Sequence, residues 1–277
     1  LVTGASSGFG RLMTELALKN GEKVAATLRK PEAISDLVAQ YPSDQLRAIQ
    51  LDVTKREEVR AGLTAALVHF GRIDVVFNNA GWLALGEVEG TDDADARLIF
   101  EINFWGAAYV TQESLRIFRE ENKPQGGRLL QSSSVGGFAA FADSGFYAAT
   151  KFALEGLSEA AMAELDPAWN IKISIIEFGA FRTKIMYDNV KATPHHPAYD
   201  NQDLPSWKTR EFITGPNVKG DAAKAVIAVD KLSRLEKPPR RLVLTKPAIA
   251  IVRDKLEEFG ESLKEYEVWS EDLEVDE

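Results

Sequence analysis

The sequence predicts an α/β protein: a single domain built on a doubly wound, Rossmann-type parallel sheet of about seven strands with helices on both faces. Three observations carry that expectation. Short apolar runs alternate with segments of helical spacing along most of the 277 residues. A glycine-rich turn, Thr3-Gly4-Ala5-Ser6-Ser7-Gly8-Phe9-Gly10, joins the first apolar run to the first helix. The run over 73–77 holds Val75 and Val76 side by side, as a strand buried on both faces should.

In chain order, residues 1–3 read as the end of a buried strand and 10–19 as a helix closed by Asn20-Gly21. Residues 23–28 form a second strand, 33–39 a short helix and 46–51 a third strand. Over 57–70, Val59, Leu63, Ala66, Leu67 and Phe70 share one stripe, which makes a helix. A strand over 73–77, one long helix over 92–120 and a fifth strand over 127–131 follow. Residues 145–165 make a long helix stopped near Pro167, and 171–176 a sixth strand. Right-handed crossovers between such strands wind the sheet in both directions. Residues 182–219 break the rhythm with four prolines and scattered aromatics, and are expected to be a substrate-binding loop or lid. A helix over 221–235, a strand over 241–244 and a last helix from Ile249 complete a body spanning 1–260. The tail, 261–277, carries eight acids against one lysine, which suits a solvated terminus or docking on a neighbouring subunit.

Composition narrows the function. Net charge is −9 with no basic stripe, so nucleic acid is not an expected partner. There is no cysteine, which excludes disulfides, thiolate metal sites and a cysteine nucleophile. No apolar run nears the roughly 20 residues that span a bilayer, and nothing resembles a signal peptide. A cytoplasmic location is the default. His195-His196 are adjacent with no third histidine nearby, so they read as surface residues and no metal is expected. Asp92, Asp93 and Asp95 open a helix, where acids favour the dipole, with Thr91 as a candidate cap.

The chemistry concentrates in Ser134, Tyr147 and Lys151. A phenol has a reference pKa of about 10 and is a poor acid at neutral pH. Lys151 lies one helical turn beyond Tyr147, so its cation can share a face with the phenol and stabilise the phenolate. A nearby serine hydroxyl can hold a substrate oxygen. Glycines at the strand–helix turn let a pyrophosphate approach the helix N-terminus. At the end of the second strand, where an acid would bind the ribose 2′-hydroxyl of NAD, this chain has Arg29 and no acid. A guanidinium pairs with a 2′-phosphate that a carboxylate would repel, which selects NADP(H).

Together these pieces resemble the short-chain dehydrogenase/reductase family, from Leu1 to about Thr183. The glycine turn matches Thr-Gly-x-x-x-Gly-x-Gly; Asn78-Asn79-Ala80-Gly81 matches the Asn-Asn-Ala-Gly after the fourth strand; Asn103 matches the helix asparagine. Leu51-Asp52-Val53 resembles the adenine-side segment, and Ser134 with Tyr147-x-x-x-Lys151 the catalytic motif. The resemblance implies hydride transfer between a nicotinamide and a carbonyl or secondary alcohol. Tyr147 would be the proton donor, Ser134 the group orienting the oxygen, Lys151 the tuner of Tyr147 and a ribose ligand. Asn103 would hold a water in a proton relay. Gly4, Ser6, Ser7, Gly8, Phe9, Gly10, Arg29, Asp52, Val53, Asn79, Ala80, Gly81, Gly179 and Thr183 would contact the cofactor with Tyr147 and Lys151. One departure stands out: Glu177-Phe178-Gly179 replaces the usual Pro-Gly after the sixth strand.

The substrate is expected to be a bulky, mostly apolar ketone or aldehyde, with Met186, Tyr187, Tyr199, Trp207 and Phe212 as lid rings and Trp82, Phe138 and Phe141 beside the motifs. The competing role for these rings is to pack the loop onto the body. A catalytically silent NADP(H) sensor or scaffold on the same fold is the alternative function. A homodimer or homotetramer is expected through the helices holding Asn103 and Tyr147, with Trp105, Tyr109 and Phe118 on that face.

Overall fold

The computed structural model describes residues 1–183 and 190–275. The chain opens with β1 (Val2–Thr3), α1 (Gly8–Lys19), β2 (Val24–Leu28), a 3₁₀ turn (Pro31–Ile34) running into α2 (Ser35–Val38), and β3 (Leu46–Gln50). Next come α3 (Arg56–Phe70), β4 (Val75–Asn78), β5 (Ala84–Leu85) and α4 (Asp93–Phe100). A π turn (Glu101–Gly106) joins α4 to α5 (Ala107–Arg116), and β6 (Gly127–Ser134), α6 (Gly145–Glu164) and β7 (Ile171–Phe178) follow. Among the remaining described residues are β8 (Lys191–Ala192), α7 (Pro205–Thr214), α8 (Ala222–Ser233), β9 (Arg241–Leu244) and α9 (Lys246–Tyr266).

Seven of these strands form one sheet in the order β3-β2-β1-β4-β6-β7-β9, every pair parallel. The chain winds outward from β1 to β3, returns across β1 to β4, and then winds the other way. The strand order therefore reverses between β1 and β4, where open α/β sheets bind ligands at the carboxyl ends of their strands. One apolar layer joins α1 and α8 to the sheet through Leu18, Phe77, Ile176 and Val229. The other joins α3 and α5 through Leu63, Val76, Val110 and Phe118.

Several local expectations change. The predicted single helix over 92–120 is one helical run interrupted by the π turn that contains Asn103, a register shift that hydrophobic spacing does not reveal. Thr91 is not its cap; Asp92 holds that position and the Thr91 hydroxyl donates to the Glu87 carbonyl. The last helix begins at Lys246 rather than Ile249, because Pro247 is tolerated in a first turn whose N–H groups have no intrahelical partner. That helix runs through residue 261, so the expected tail begins inside α9. The stretch read as loop contains β8 and α7, the latter started by Pro205. Met186 and Tyr187 lie outside the described residues. Phe118 is fully buried, and a Cβ on Gly127 would fall 2.3 Å from its ring, so it belongs to the core and not to a subunit face. Among the described residues, no helix is long and apolar enough to cross a membrane.

Candidate active site

A cleft of about 530 Å³ opens at the carboxyl ends of β1, β2, β3 and β4. Its floor is the glycine turn: Gly4, Ser6, Ser7, Gly8 and Phe9 line it. Gly4 and Gly8 have φ of +69° and +54°, a region where a side chain is strained, and a Cβ on Gly4 would lie 3.0 Å from Ala80 Cα. The N-cap residue Ser7 makes no side-chain cap bond and no acid stands in the first turn of α1. The first N–H groups of that helix are thus left for an anion in the cleft. These features fit a pyrophosphate-bearing dinucleotide.

The walls come from the other strand ends. Arg29 follows β2 with its side chain exposed, and Asp52 and Val53 follow β3; all three line the cleft. The Asp52 carboxylate accepts from the Thr54 N–H and hydroxyl at 3.0 and 2.9 Å, which fixes this turn. Asn79, Ala80, Gly81 and Thr183 also line it, whereas Tyr147 and Lys151, expected to contact the cofactor, do not. Gly10 and Gly179 do not line the cleft. A Cβ on Gly10 would meet the Gly4 oxygen at 2.3 Å, and one on Gly179 would meet Thr245 Oγ1 at 2.4 Å. Both are packing glycines behind it. Gly10→Ala is expected to push α1 from the turn and lower stability by roughly 2 kcal/mol, read as a drop in melting temperature.

Thr3 ties the two central strands together. Its hydroxyl accepts from the Asn79 and Ala80 N–H groups at 2.9 Å each, and its carbonyl accepts from Asn79 Nδ2 at 2.9 Å. The signal available in sequence was only that it precedes the first glycine. Phe178, which stands where the family has proline, stacks on Phe9 with centroids 4.1 Å apart, and Phe181 meets Phe9 edge-on at 5.4 Å. The end of β7 is therefore anchored to the glycine turn by rings rather than by a fixed φ.

Asn103, Ser134, Tyr147 and Lys151, the expected catalytic residues, are not among the residues lining this cleft; Asn103 and Lys151 approach it at Gly81, where a Cβ would lie 3.7 Å from Lys151 Nζ. Ser134 ends β6, and its Oγ accepts the Gly136 N–H at 3.0 Å, which leaves the hydroxyl proton free to be donated. A Cβ on Gly136 would lie 3.3 Å from Ser134 Oγ and 3.4 Å from Tyr147 Cε1, so both groups flank this backbone. Burial pushes the half-buried Tyr147 phenol above its ordinary value, and a hydrogen bond with Ser134 opposes that rise. The expected depression by Lys151 is not what this arrangement shows: desolvation dominates. The Lys151 ammonium is 5.8 Å from the Tyr147 ring centroid and donates to the Ser132 carbonyl at 2.8 Å. Burial pulls Lys151 down to about 8, with the Glu155 carboxylate drawing it partly back.

Glu155 lies one turn beyond Lys151, and no motif marks it in the sequence. It is buried, accepts the Ser133 hydroxyl at 2.5 Å and pairs with Arg241 of β9. Asn103 is fully buried, with its amide committed on both sides. Oδ1 accepts the Trp82 N–H at 2.7 Å, while Nδ2 donates to the Trp82 carbonyl at 2.8 Å and to Thr150 Oγ1 at 3.2 Å. Gly81 fits between them: a Cβ there would lie 3.3 Å from Asn103 Oδ1 and 3.7 Å from Lys151 Nζ.

The segment after Val190 is clamped to the body by polar contacts. Lys191 reaches Asp95 at 2.5 Å, Tyr199 donates to Glu89 at 2.6 Å, and Arg210 grips both Asp143 oxygens at 2.6 and 2.8 Å. His195, expected on the surface, is instead held by Glu87 at 2.5 Å and stacked on Trp207 at 3.9 Å. Glu87, Asp143 and His195 lie close enough to suggest a cation site, but Arg210 and the His195 ring already engage these carboxylates. Trp207 packs within this segment on His195 and the Tyr199 carbonyl, the Tyr199 hydroxyl ties it to Glu89 of the body, and Phe212 is exposed. Phe138 faces Arg241 and Lys255 at 5.9 and 6.0 Å, toward β9 and α9. Trp82, Leu98 and Ile102 are among the apolar residues lining the cleft, with Leu28, Leu51 and Val53.

The family model for short chain dehydrogenases matches residues 1–193. An uncharacterized oxidoreductase of Schizosaccharomyces pombe is 36% identical over 268 residues, 95% of this chain and 87% of that protein. The oxidoreductase calM of Penicillium decumbens is 34% identical over 264 residues, 92% of this chain and 86% of that protein. A crystal structure of a short-chain dehydrogenase from Streptomyces avermitilis superposes with a TM-score of 0.88 at 38% identity, covering 97% of this chain and 95% of that one.

Proposed function

This chain belongs to the short-chain dehydrogenase family, and from that premise we propose that it is an NADP(H)-dependent reductase of bulky, mostly apolar ketones or aldehydes. The observation that carries the reading is the meeting of Ser134, Tyr147 and Lys151 beside a glycine-floored cleft bordered by Arg29. A bound nicotinamide dinucleotide supplies the hydride. The α1 N-terminus with Ser6, Ser7 and Gly8 would hold its pyrophosphate, Arg29 its 2′-phosphate, Asp52 and Val53 its adenine side, and Asn79, Ala80, Gly81 and Thr183 the remainder.

The residues divide the work by their bonding. Ser134 accepts the Gly136 N–H and bonds the Tyr147 phenol, so its hydroxyl would orient a substrate oxygen beside the proton donor. Tyr147, kept neutral by burial, is the acid that gives that oxygen its proton. Lys151 places positive charge beside the phenolate that remains. Asn103 acts as a positioning residue, locking the Trp82 backbone to α6 through Thr150. Trp82, Leu98 and Ile102 exclude water and favour an apolar substituent. Pairing through the helical run that holds Asn103 and through α6 is part of the same reading; Trp105, in the π turn of that run, is 46% exposed and stacks on Tyr109 of α5.

The test is steady-state oxidation of NADPH and NADH against a panel of carbonyls graded from small and charged to bulky and apolar. NADPH oxidation with the bulky members supports the proposal. Equal use of NADH overturns the cofactor choice, and reaction with only small charged members overturns the pocket. Tight NADPH binding without turnover on any member would favour the sensor.

The lysine adds a pH dependence. Below about pH 8 Lys151 is charged and favours the phenolate product state; above it that charge is lost. The reductive kcat/KM is expected to fall as pH rises through about 8. The stability sign runs the opposite way. The folded-state value lies below the ordinary 10.5, so the cost of burying the cation is full below about 8 and is relieved as pH rises toward 10.5.

A further inference from the structure

We propose that α9 is an interface through which two copies of this chain associate, with their α9 helices antiparallel. Only the first turns of α9 rest on the body: Ala248 is buried, Ile251, Val252 and Lys255 are half-buried, and the Lys255 ammonium sits 5.2 Å from the Phe152 ring centroid. Residues 261–270 are exposed throughout. The exposed helix is nonetheless apolar along one line. Ile249, Val252, Leu256, Phe259, Leu263 and Tyr266 recur at alternating intervals of three and four, and Leu256, Phe259 and Leu263 keep 55%, 61% and 55% of their surface exposed. A repeat of 3.5 residues forms a straight seam for a second helix.

Charge identifies the occupant and its direction. Residues 246–255 carry Lys246, Arg253 and Lys255 against Asp254, whereas 256–267 carry five glutamates against Lys264. This gradient opposes the macrodipole of the helix itself, which favours acids at its start and bases at its end. A parallel copy would set like charge on like. An antiparallel copy lays the basic start of each helix along the acidic end of the other. In that register Leu256 faces Phe259 of the other copy, Val252 faces Leu263, Ile249 faces Tyr266, and Lys246 comes beside Glu267. A two-fold axis makes each contact occur twice, so the seam closes on itself. The same acidic half is repelled by anionic lipid, which argues against a membrane surface as the occupant.

The test is sedimentation analysis of the full chain at micromolar concentration. Wild type is expected at twice its 30.5 kDa chain mass or an even multiple of it. Phe259→Glu combined with Leu263→Glu should halve that mass, with the dissociation constant raised at least roughly tenfold. Both side chains are mostly exposed, so melting temperature and NADPH oxidation should be unchanged. Lys246→Glu and Glu267→Lys should each weaken association, and the two together should restore it. A monomeric wild type overturns the proposal. So does a wild-type mass that survives the double glutamate variant, which would place association on α5 and α6 alone. Failure of the charge swap to restore association overturns the antiparallel register. Binding to phosphatidylcholine vesicles by a chain that stays monomeric would assign α9 to a membrane instead.

Discussion

Tyr147→Phe is expected to lower the reductive kcat by about 10²–10⁴, the range a positioned general acid contributes. The substitution removes one oxygen from a half-buried ring and leaves its packing in place, so NADPH affinity and melting temperature should stay near wild type. Ser134→Ala should lose less, because it removes an orienting hydrogen bond and spares the proton source. The distinguishing readout is single-turnover NADPH oxidation at saturating carbonyl, which separates the chemical step from binding. Turnover in Tyr147→Phe within a few fold of wild type would assign the proton to another group. Ser134 would then be the residue to test, since it is the hydroxyl that bonds the phenol.

Arg29→Ala is expected to raise KM for NADPH by about tenfold to a hundredfold, the worth of one charge-assisted hydrogen bond to a phosphate. KM for NADH should barely move, since that cofactor offers no 2′-phosphate. Among the described residues no carboxylate neutralises Arg29, and it borders the cleft at the end of β2, so its charge is available to a ligand. Parallel titrations of both cofactors by fluorescence measure the ratio directly. An equal loss for the two would mean that Arg29 acts only on the shape of the strand end.

The two predictions draw on information of different kinds. Ser134, Tyr147 and Lys151 were legible because a helix turn of four residues and a strand–helix spacing are local, and the glycine turn was legible because few other residues adopt a positive φ there. The strand alternation was equally readable, since parallel strands covered on both faces leave unbroken apolar runs. What failed were features set by contact across the sheet. His195 looked like a surface residue until Glu87, more than a hundred positions earlier, proved to hold it. Phe118 looked like a subunit face and is core, because Gly127 gives its ring room. Of the two roles open to the loop aromatics, packing is visible for Trp207, stacked on His195 and donating to the Tyr199 carbonyl within the segment, while the Tyr199 hydroxyl reaches Glu89 of the body.

Tuning of the catalytic pair shows the same division. Sequence placed Lys151 beside Tyr147, and from that alone a lowered phenol was the natural expectation. Folding buries both groups, and the cost of desolvating charge raises the phenol while it lowers the amine to about 8. By itself, the sequence determined the fold class, the order of the seven main strands and the residues proposed to react, because backbone periodicity and short spacings are properties of neighbours along the chain. Only the tertiary structure decided how much water those groups keep, which glycines pack rather than line the cleft, and that α9 leaves the body with its apolar seam exposed. Burial and long-range pairing depend on residues far apart in sequence, and no local pattern carries them.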